Sequence, residues 1–137
     1  MKLSRFIILG VLLVVILSSA SYLIMKDYYI YDIVIIPADL EVNDYVGFNL
    51  DNDALHFGSI KNQGNSRRNI TVINTYGKTS LVVIEAEGEI ASWISASENS
   101  FLLEEDTSRQ VEFMIETPEF VDYGNYTGNV TITFKRP

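Results

Sequence analysis

His56 is the one histidine of the chain and the first side chain to consider for catalysis. A histidine can act as a general base when a nucleophile lies within hydrogen-bond reach and an acid orients its ring. His56 stands beside Phe57 and Gly58, in no known spacing that supplies both partners. We therefore interpret His56 as structural, predict no catalytic residue and do not expect an enzyme.

The chain has almost none of the sulfur and imidazole ligands that many metal sites use. The chain has no cysteine, which excludes disulfide bonds, thiolate sites and cysteine nucleophiles, and one histidine excludes a multi-histidine centre. Two acidic groups could offer oxygen ligands to calcium: Asp44, Asp51 and Asp53, or Glu104, Glu105 and Asp106. Neither group matches a calcium-loop pattern, and aspartate is a common turn residue. We expect neither a metal nor a cofactor.

Three aromatic residues are candidate ligand contacts. Trp93, the single tryptophan, could stack on a sugar ring if exposed, although one large aromatic in a small β-sandwich usually packs in the core. Tyr123 and Tyr126 precede the last predicted strand, and we expect them to pack a turn. One of the two hydroxyl groups is expected to bond to the backbone, as in a tyrosine corner.

Three sequons offer sites for N-glycosylation, at Asn69, Asn125 and Asn129. The side chains of Asn125 and Asn129 alternate with an apolar face of the last strand, which predicts that they point to solvent. Modification depends on a host that has the machinery.

The charge balance is strongly acidic, with 18 acidic and 10 basic residues and a formal charge of −8. A broad cationic surface is absent, which disfavours nucleic-acid binding. All 18 acidic residues but only seven basic ones follow Lys26, a formal charge of −11 for this part. We expect this charge to keep the domain away from anionic lipid headgroups.

The first 25 residues contain a candidate membrane anchor. Residues 6–25 carry no charge, and a helix of this length covers the roughly 30 Å hydrocarbon layer. Lys2 and Arg5 precede it, so residues 1–5 are predicted to be a cytoplasmic stub. Residues 26–37 are then a juxtamembrane linker or first strand, and residues 38–137 an extracytoplasmic domain.

A cleaved signal peptide is the alternative to an anchor. Ser18, Ser19 and Ala20 form a small-residue triplet that permits cleavage before Ser21, and the domain would then be secreted. The apolar run continues through Met25, which favours an anchor. Both alternatives export the same domain.

The exported part shows the two-residue periodicity of an all-β domain. Val111, Phe113 and Ile115 alternate with polar residues, as do Val130, Ile132 and Phe134 in the last strand. Further predicted strands include Tyr45–Leu50. Turns are predicted at Pro37 and at several clusters of Asn, Asp and Gly. Residues 33–36 are either a strand or an extension of the helix. We predict an immunoglobulin-like sandwich of seven or eight strands behind one transmembrane helix.

Two stretches carry a resemblance to known families. The first is LHFGSIKNQGNSRRNITVINT (Leu55 to Thr75), which resembles the opening of ASH-type and major-sperm-protein-like modules. The second is ASWISASENSFLLEEDTSRQVEFMIETP (Ala91 to Pro118) with GNYTGNVTITF (Gly124 to Phe134), which resembles BACON-type immunoglobulin-like modules. The resemblance implies a non-catalytic accessory or adhesion-like module and carries over no active-site residue.

These features favour an interaction or scaffolding role in the cell envelope. The predicted partner is an envelope or membrane protein that contacts a sheet face or an unpaired strand edge. The alternative is an accessory module that binds glycan or cell-wall polymer through Trp93, Tyr123 or Tyr126.

Overall fold

The computed structural model describes residues 2–47 and 53–137, which form one α-helix, a short 3-10 turn and eight β-strands in two sheets. The protein is thus an all-β sandwich behind an apolar N-terminal helix, as predicted. The elements are α1 (Lys2–Tyr29), β1 (Ile30–Val42), β2 (Leu55–Ile60), β3 (Asn65–Ile73), β4 (Ser80–Gly88), the 3-10 turn (Ala91–Trp93), β5 (Ile94–Ala96), β6 (Phe101–Leu103), β7 (Ser108–Glu116) and β8 (Gly124–Lys135).

Helix α1 contains a segment, Arg5–Met25, that is long and apolar enough to cross a membrane. None of this segment is buried against the rest of the protein. An exposed apolar surface of this length is favourable in a hydrocarbon layer and unfavourable in water.

Strand β1 begins at Ile30, directly after the last residue of α1. It pairs antiparallel with β8 from Ile30 to Val42, but parallel with β2 only from Ala38 to Val42. The apolar residues 33–36 therefore belong to a strand and do not extend the helix. On the side away from β8, no strand of the described residues 2–47 and 53–137 pairs with residues 30–37, which therefore form a sheet edge.

Pro37 lies inside β1, where the sequence predicted a turn. Proline has no N–H to donate and is tolerated where a strand faces an open edge. Four residues before Pro37, on the same side of β1, the N–H of Ile33 donates to the carboxylate of Asp32 at 2.8 Å. Because Pro37 has no N–H and the N–H of Ile33 is already bonded, this edge is less able to pair with another strand.

The two sheets enclose one hydrophobic core. Their strand orders are β2-β1-β8-β4-β6 and β3-β7-β5. The predicted inward faces of the two longest alternating segments are confirmed, since all of their apolar residues are buried. These residues are Val111, Phe113, Ile115, Val130, Ile132 and Phe134.

The predicted strand Tyr45–Leu50 is wrong at its start. Tyr45 and Val46 belong to no strand, and Gly47 forms only an isolated bridge with Ser59. Phe48, Asn49 and Leu50 lie outside the described residues, as does Asp51.

The sandwich has two ends that we name by their distance from α1. The proximal end contains the start of β1, which pairs with Lys135 near the end of β8. The distal end contains Val42, which pairs with Gly124 at the start of β8. A strand rises about 3.3 Å per residue, so β1 separates the two ends by about 40 Å.

Candidate functional site

His56 is held between two carboxylates on the outer face of the five-stranded sheet. Asp39 lies beside it on β1, in register, and its carboxylate is 2.5 Å from His56 Nδ1. Asp53, just before β2, lies 2.8 Å from Nε2. Both ring nitrogens are thus occupied, and the nearby hydroxyl of Ser59 donates to Glu41 instead. Within residues 2–47 and 53–137, no cluster of histidine and acidic side chains could hold a metal ion.

These contacts shift the titration of the groups involved. The pKa of His56 is raised, chiefly by its hydrogen bond to Asp53 and further by Asp39. The same bond to His56 lowers the pKa of Asp53. The hydroxyl of Ser59 is the main cause of the lowered pKa of Glu41. The cluster holds β2 and the segment before it against β1.

The stability of the fold should therefore depend on the protonation of His56. A raised pKa in the folded state stabilises the protein below the ordinary histidine pKa, and this contribution disappears as the pH rises through the raised value. We expect His56→Gln to lower the melting temperature more at about pH 5.5 than at about pH 8.5. Thermal unfolding at both pH values measures this difference, and an equal loss at both would contradict it.

Trp93 and Tyr126 come together near the distal end. Trp93 ends the 3-10 turn after β4, and its ring lies 5.1 Å from that of Tyr126 on β8, at an interplanar angle of 58°. Both rings are half-buried against the core. Trp93 therefore covers this end of the core, and its ring is partly occupied by a neighbouring tyrosine.

The segment between β7 and β8 exposes two aromatic rings at the distal end. Phe120 is 87% exposed and Tyr123 is 65% exposed. The hydroxyl of Tyr126 donates to the backbone carbonyl of Asp122 at 2.8 Å, which ties this segment to β8. The tyrosine-corner type of bond expected from the sequence thus belongs to Tyr126, whereas Tyr123 projects into solvent.

A shallow groove lies beside these exposed rings. Asn62, Phe120, Val121, Asp122 and Tyr126 line it. The side-chain N–H of Asn62 donates to the carbonyl of Val121 at 3.2 Å, while its Oδ1 is a buried oxygen without a partner among the described residues. A buried acceptor of this kind gains free energy from a donor that reaches it. We call Asn62, Phe120, Tyr123 and Tyr126 the distal aromatic site.

The three sequon asparagines lie on strands and are exposed. Asn69 is on β3, and Asn125 and Asn129 are on the outer face of β8. Asn125 pairs with Glu41, and Asn129 with Pro37. Their modification stays a prediction.

No protein-family model, curated protein or solved structure matches the chain.

Phe120 and Asn62 are the two members of the distal aromatic site that sequence reasoning missed. Phe120 stands in the turn segment Thr117-Pro118-Glu119-Phe120, where a large apolar ring has no strand periodicity to bury it. That isolation in a turn was a usable signal. Asn62 gave none, because turn asparagines usually bond their own backbone.

Proposed function

We propose that this protein is a membrane-anchored, extracytoplasmic interaction module of the cell envelope, without catalytic activity, that binds a protein partner at its distal aromatic site. The observation that carries the proposal is the exposure of Phe120 and Tyr123 at the end of the sandwich farthest from α1. Exposed aromatic rings beside a groove are typical anchors of protein interfaces.

The orientation in the membrane is inferred from charge. Lys2 and Arg5 precede the apolar segment, and positive flanks favour the cytoplasmic side. The sandwich would then stand outside the cell, with its distal aromatic site roughly 40 Å beyond the end of α1. Cleavage before Ser21 would release the same sandwich as a secreted protein.

The chemistry of the distal aromatic site favours a protein over a carbohydrate. Phe120 offers a ring without any polar edge, and apolar burial is what such a ring contributes to an interface. The resemblance to BACON-type and ASH or major-sperm-protein-like modules also supports an accessory role.

Glycan or cell-wall polymer is the second candidate ligand. The exposed ring of Tyr123 favours it, because tyrosine combines a stacking face with a hydroxyl group. The position of Trp93 weighs against it, since the indole is half-buried and packs against Tyr126.

A single cysteine tests the orientation and the partner together, because the natural chain has none. In Glu119→Cys, the thiol stands beside Phe120 at the distal aromatic site. A membrane-impermeant maleimide crosslinker on intact cells should join this thiol to one protein partner. Adding Phe120→Ser and Tyr123→Ser should reduce the adduct roughly tenfold or more, because interface aromatics often contribute 2 kcal/mol or more.

Leu102→Ser is the matched control for this experiment. Leu102 is also an exposed apolar residue, at 56%, but it lies on β6 near the proximal end. The control should leave the adduct unchanged. If the crosslinker reacts with the thiol only after the cells are lysed, the proposed orientation is refuted. If it reacts on intact cells but no adduct depends on Phe120 and Tyr123, the protein-binding site is refuted. A soluble polysaccharide that blocks labelling would favour the glycan instead.

A further inference from the structure

The basic residues of the sandwich differ in whether they have acidic partners. Arg67 forms an ion pair with Glu112, at 3.5 Å, and Arg109 with Glu98, at 2.8 Å. At the proximal end, Lys78, Lys135 and Arg136 form no ion pair with any described residue.

Two of these unpaired cations lie over tyrosine rings at the end of α1. The guanidinium of Arg136 is 4.3 Å from the ring centre of Tyr28, and its backbone N–H donates to the carbonyl of Tyr29 at 2.7 Å. The ammonium of Lys78 is 5.1 Å from the ring centre of Tyr31, in β1. These contacts bring the C-terminal residues and the β3–β4 connection around the point where the helix becomes a strand.

Lys135 completes the cluster from the sheet. It pairs with Ile30 on one side and with Leu81 on the other, so it lies between the first residues of β1 and β4. We name Tyr28, Tyr31, Lys78, Lys135 and Arg136 the proximal collar.

The proximal collar lies at the level of lipid headgroups if α1 spans a bilayer. Tyr28 follows Met25, the end of the apolar segment, by three helical residues, which is about 4.5 Å of rise. The headgroup region extends roughly 5 to 8 Å beyond the hydrocarbon on each side. Tyrosine rings prefer this region, and cations there are attracted to anionic lipids.

Acidic residues border the proximal collar on two sides. On β1, Asp32 directly follows Tyr31. On the other side, Glu104 lies near Lys78, because the side-chain amide of Asn74 donates to the backbone carbonyls of both. Asp32 accepts the hydroxyl of Tyr76 at 2.5 Å. Glu104, Glu105 and Asp106 follow β6, the strand at the far edge of the sheet. Three inter-strand spacings, roughly 14 Å, separate that edge from β1.

We propose that the proximal collar binds the phosphate groups of anionic phospholipids, and that the sandwich leans on its β1–β8 side with the β6 edge raised. The net acidity of the exported part predicts repulsion from such lipids, but its unpaired cations are concentrated where the chain leaves the bilayer. The inference rests on the membrane anchoring in the proposed function, and it holds for either orientation of α1.

A nitroxide label near the proximal collar tests this binding in the full chain. Pro137→Cys places a single label on an exposed residue beside Arg136, on the β1–β8 side. We expect a water-soluble relaxation agent to reach the label less well in vesicles that contain phosphatidylglycerol than in pure phosphatidylcholine. Each cation near an anionic surface favours docking about fivefold, so three favour it by roughly a hundredfold.

A triple variant and a matched control complete the test. Lys78→Gln, Lys135→Gln and Arg136→Gln together should abolish the effect of phosphatidylglycerol. Lys61→Gln, Arg67→Gln and Arg68→Gln remove the same charge nearer the distal end and should preserve it. Inorganic phosphate added to phosphatidylcholine vesicles should not reproduce the effect, because free phosphate is not held at the surface.

The outcomes separate this inference from the proposed function. If the chain does not float with vesicles, α1 is not inserted, and both the anchoring and the lipid binding are refuted. If it floats but the label is equally accessible in both lipids, or the triple variant behaves like the natural chain, only the lipid binding is refuted.

Discussion

Replacing Asn74 with alanine is expected to lower the free energy of unfolding by about 3 to 5 kcal/mol, because several buried polar groups would lose their partner at once. Asn74 follows β3 and is fully buried. Its Nδ2 lies 2.8 Å from the carbonyl oxygen of Lys78, 2.9 Å from that of Leu103 and 3.0 Å from that of Glu104. Its Oδ1 accepts the N–H of Tyr76 at 3.2 Å. One side chain thus joins two connections at the proximal end.

Urea unfolding followed by Trp93 fluorescence measures this loss. Asn65→Ala is the matched control, since Asn65 is an exposed asparagine at the start of β3 and should change stability by at most about 0.5 kcal/mol. Asn74→Asp should be at least as harmful as Asn74→Ala, because it turns a carboxylate toward three carbonyl oxygens. If Asn74→Ala were as stable as the control, Asn74 would not have this role.

Gly128→Ala is expected to lower the free energy of unfolding by about 2 to 3 kcal/mol, because the added methyl group has no space. A Cβ at this position would lie 2.5 Å from the backbone oxygen of Glu87 and 3.0 Å from Cγ1 of Ile90. Gly128 pairs with Gly88, whose φ of +95° also favours glycine. The backbones of β4 and β8 can therefore approach closely only because both residues lack a side chain.

The melting temperature of the Gly128→Ala protein should fall by roughly 10 °C or more, as a domain of about 100 residues loses 4 to 8 °C per kcal/mol. Gly47→Ala is the control, because a Cβ there meets Ser59 at an ordinary 3.4 Å. Ile90 precedes the turn that carries Trp93, so the variant should also alter Trp93 fluorescence. Equal melting temperatures for the two alanine variants would show that β4 and β8 can separate without cost.

The fold was predictable where local periodicity determines it. In β7 and β8 the alternation of apolar and polar residues identifies the inward face, because each strand has one buried and one exposed side. The full length of β1 was not predictable, since its continuation through Pro37 depends on which strands pair beside it. That pairing is a property of the whole sheet.

The candidate sites were predictable only in part. The sequence singled out Trp93, Tyr123 and Tyr126, and the structure brings Trp93 and Tyr126 into contact while exposing Tyr123. The contact between His56 and Asp39 requires parallel pairing of β1 and β2 and left no trace in sequence spacing. The proximal collar joins three separate chain segments, so no short motif encodes it.

Helix α1 continues directly from Tyr29 into Ile30 of β1, so a tilt of the helix moves the whole sandwich with it. No flexible residues separate the two elements, and Arg136 fastens their junction from the side. With a lever arm of about 40 Å, a change of 10° in helix tilt displaces the far end by roughly 7 Å. Bilayer thickness, which governs the tilt of a membrane-spanning helix, would thereby set how far from the membrane the rings of Phe120 and Tyr123 lie and in which direction they face.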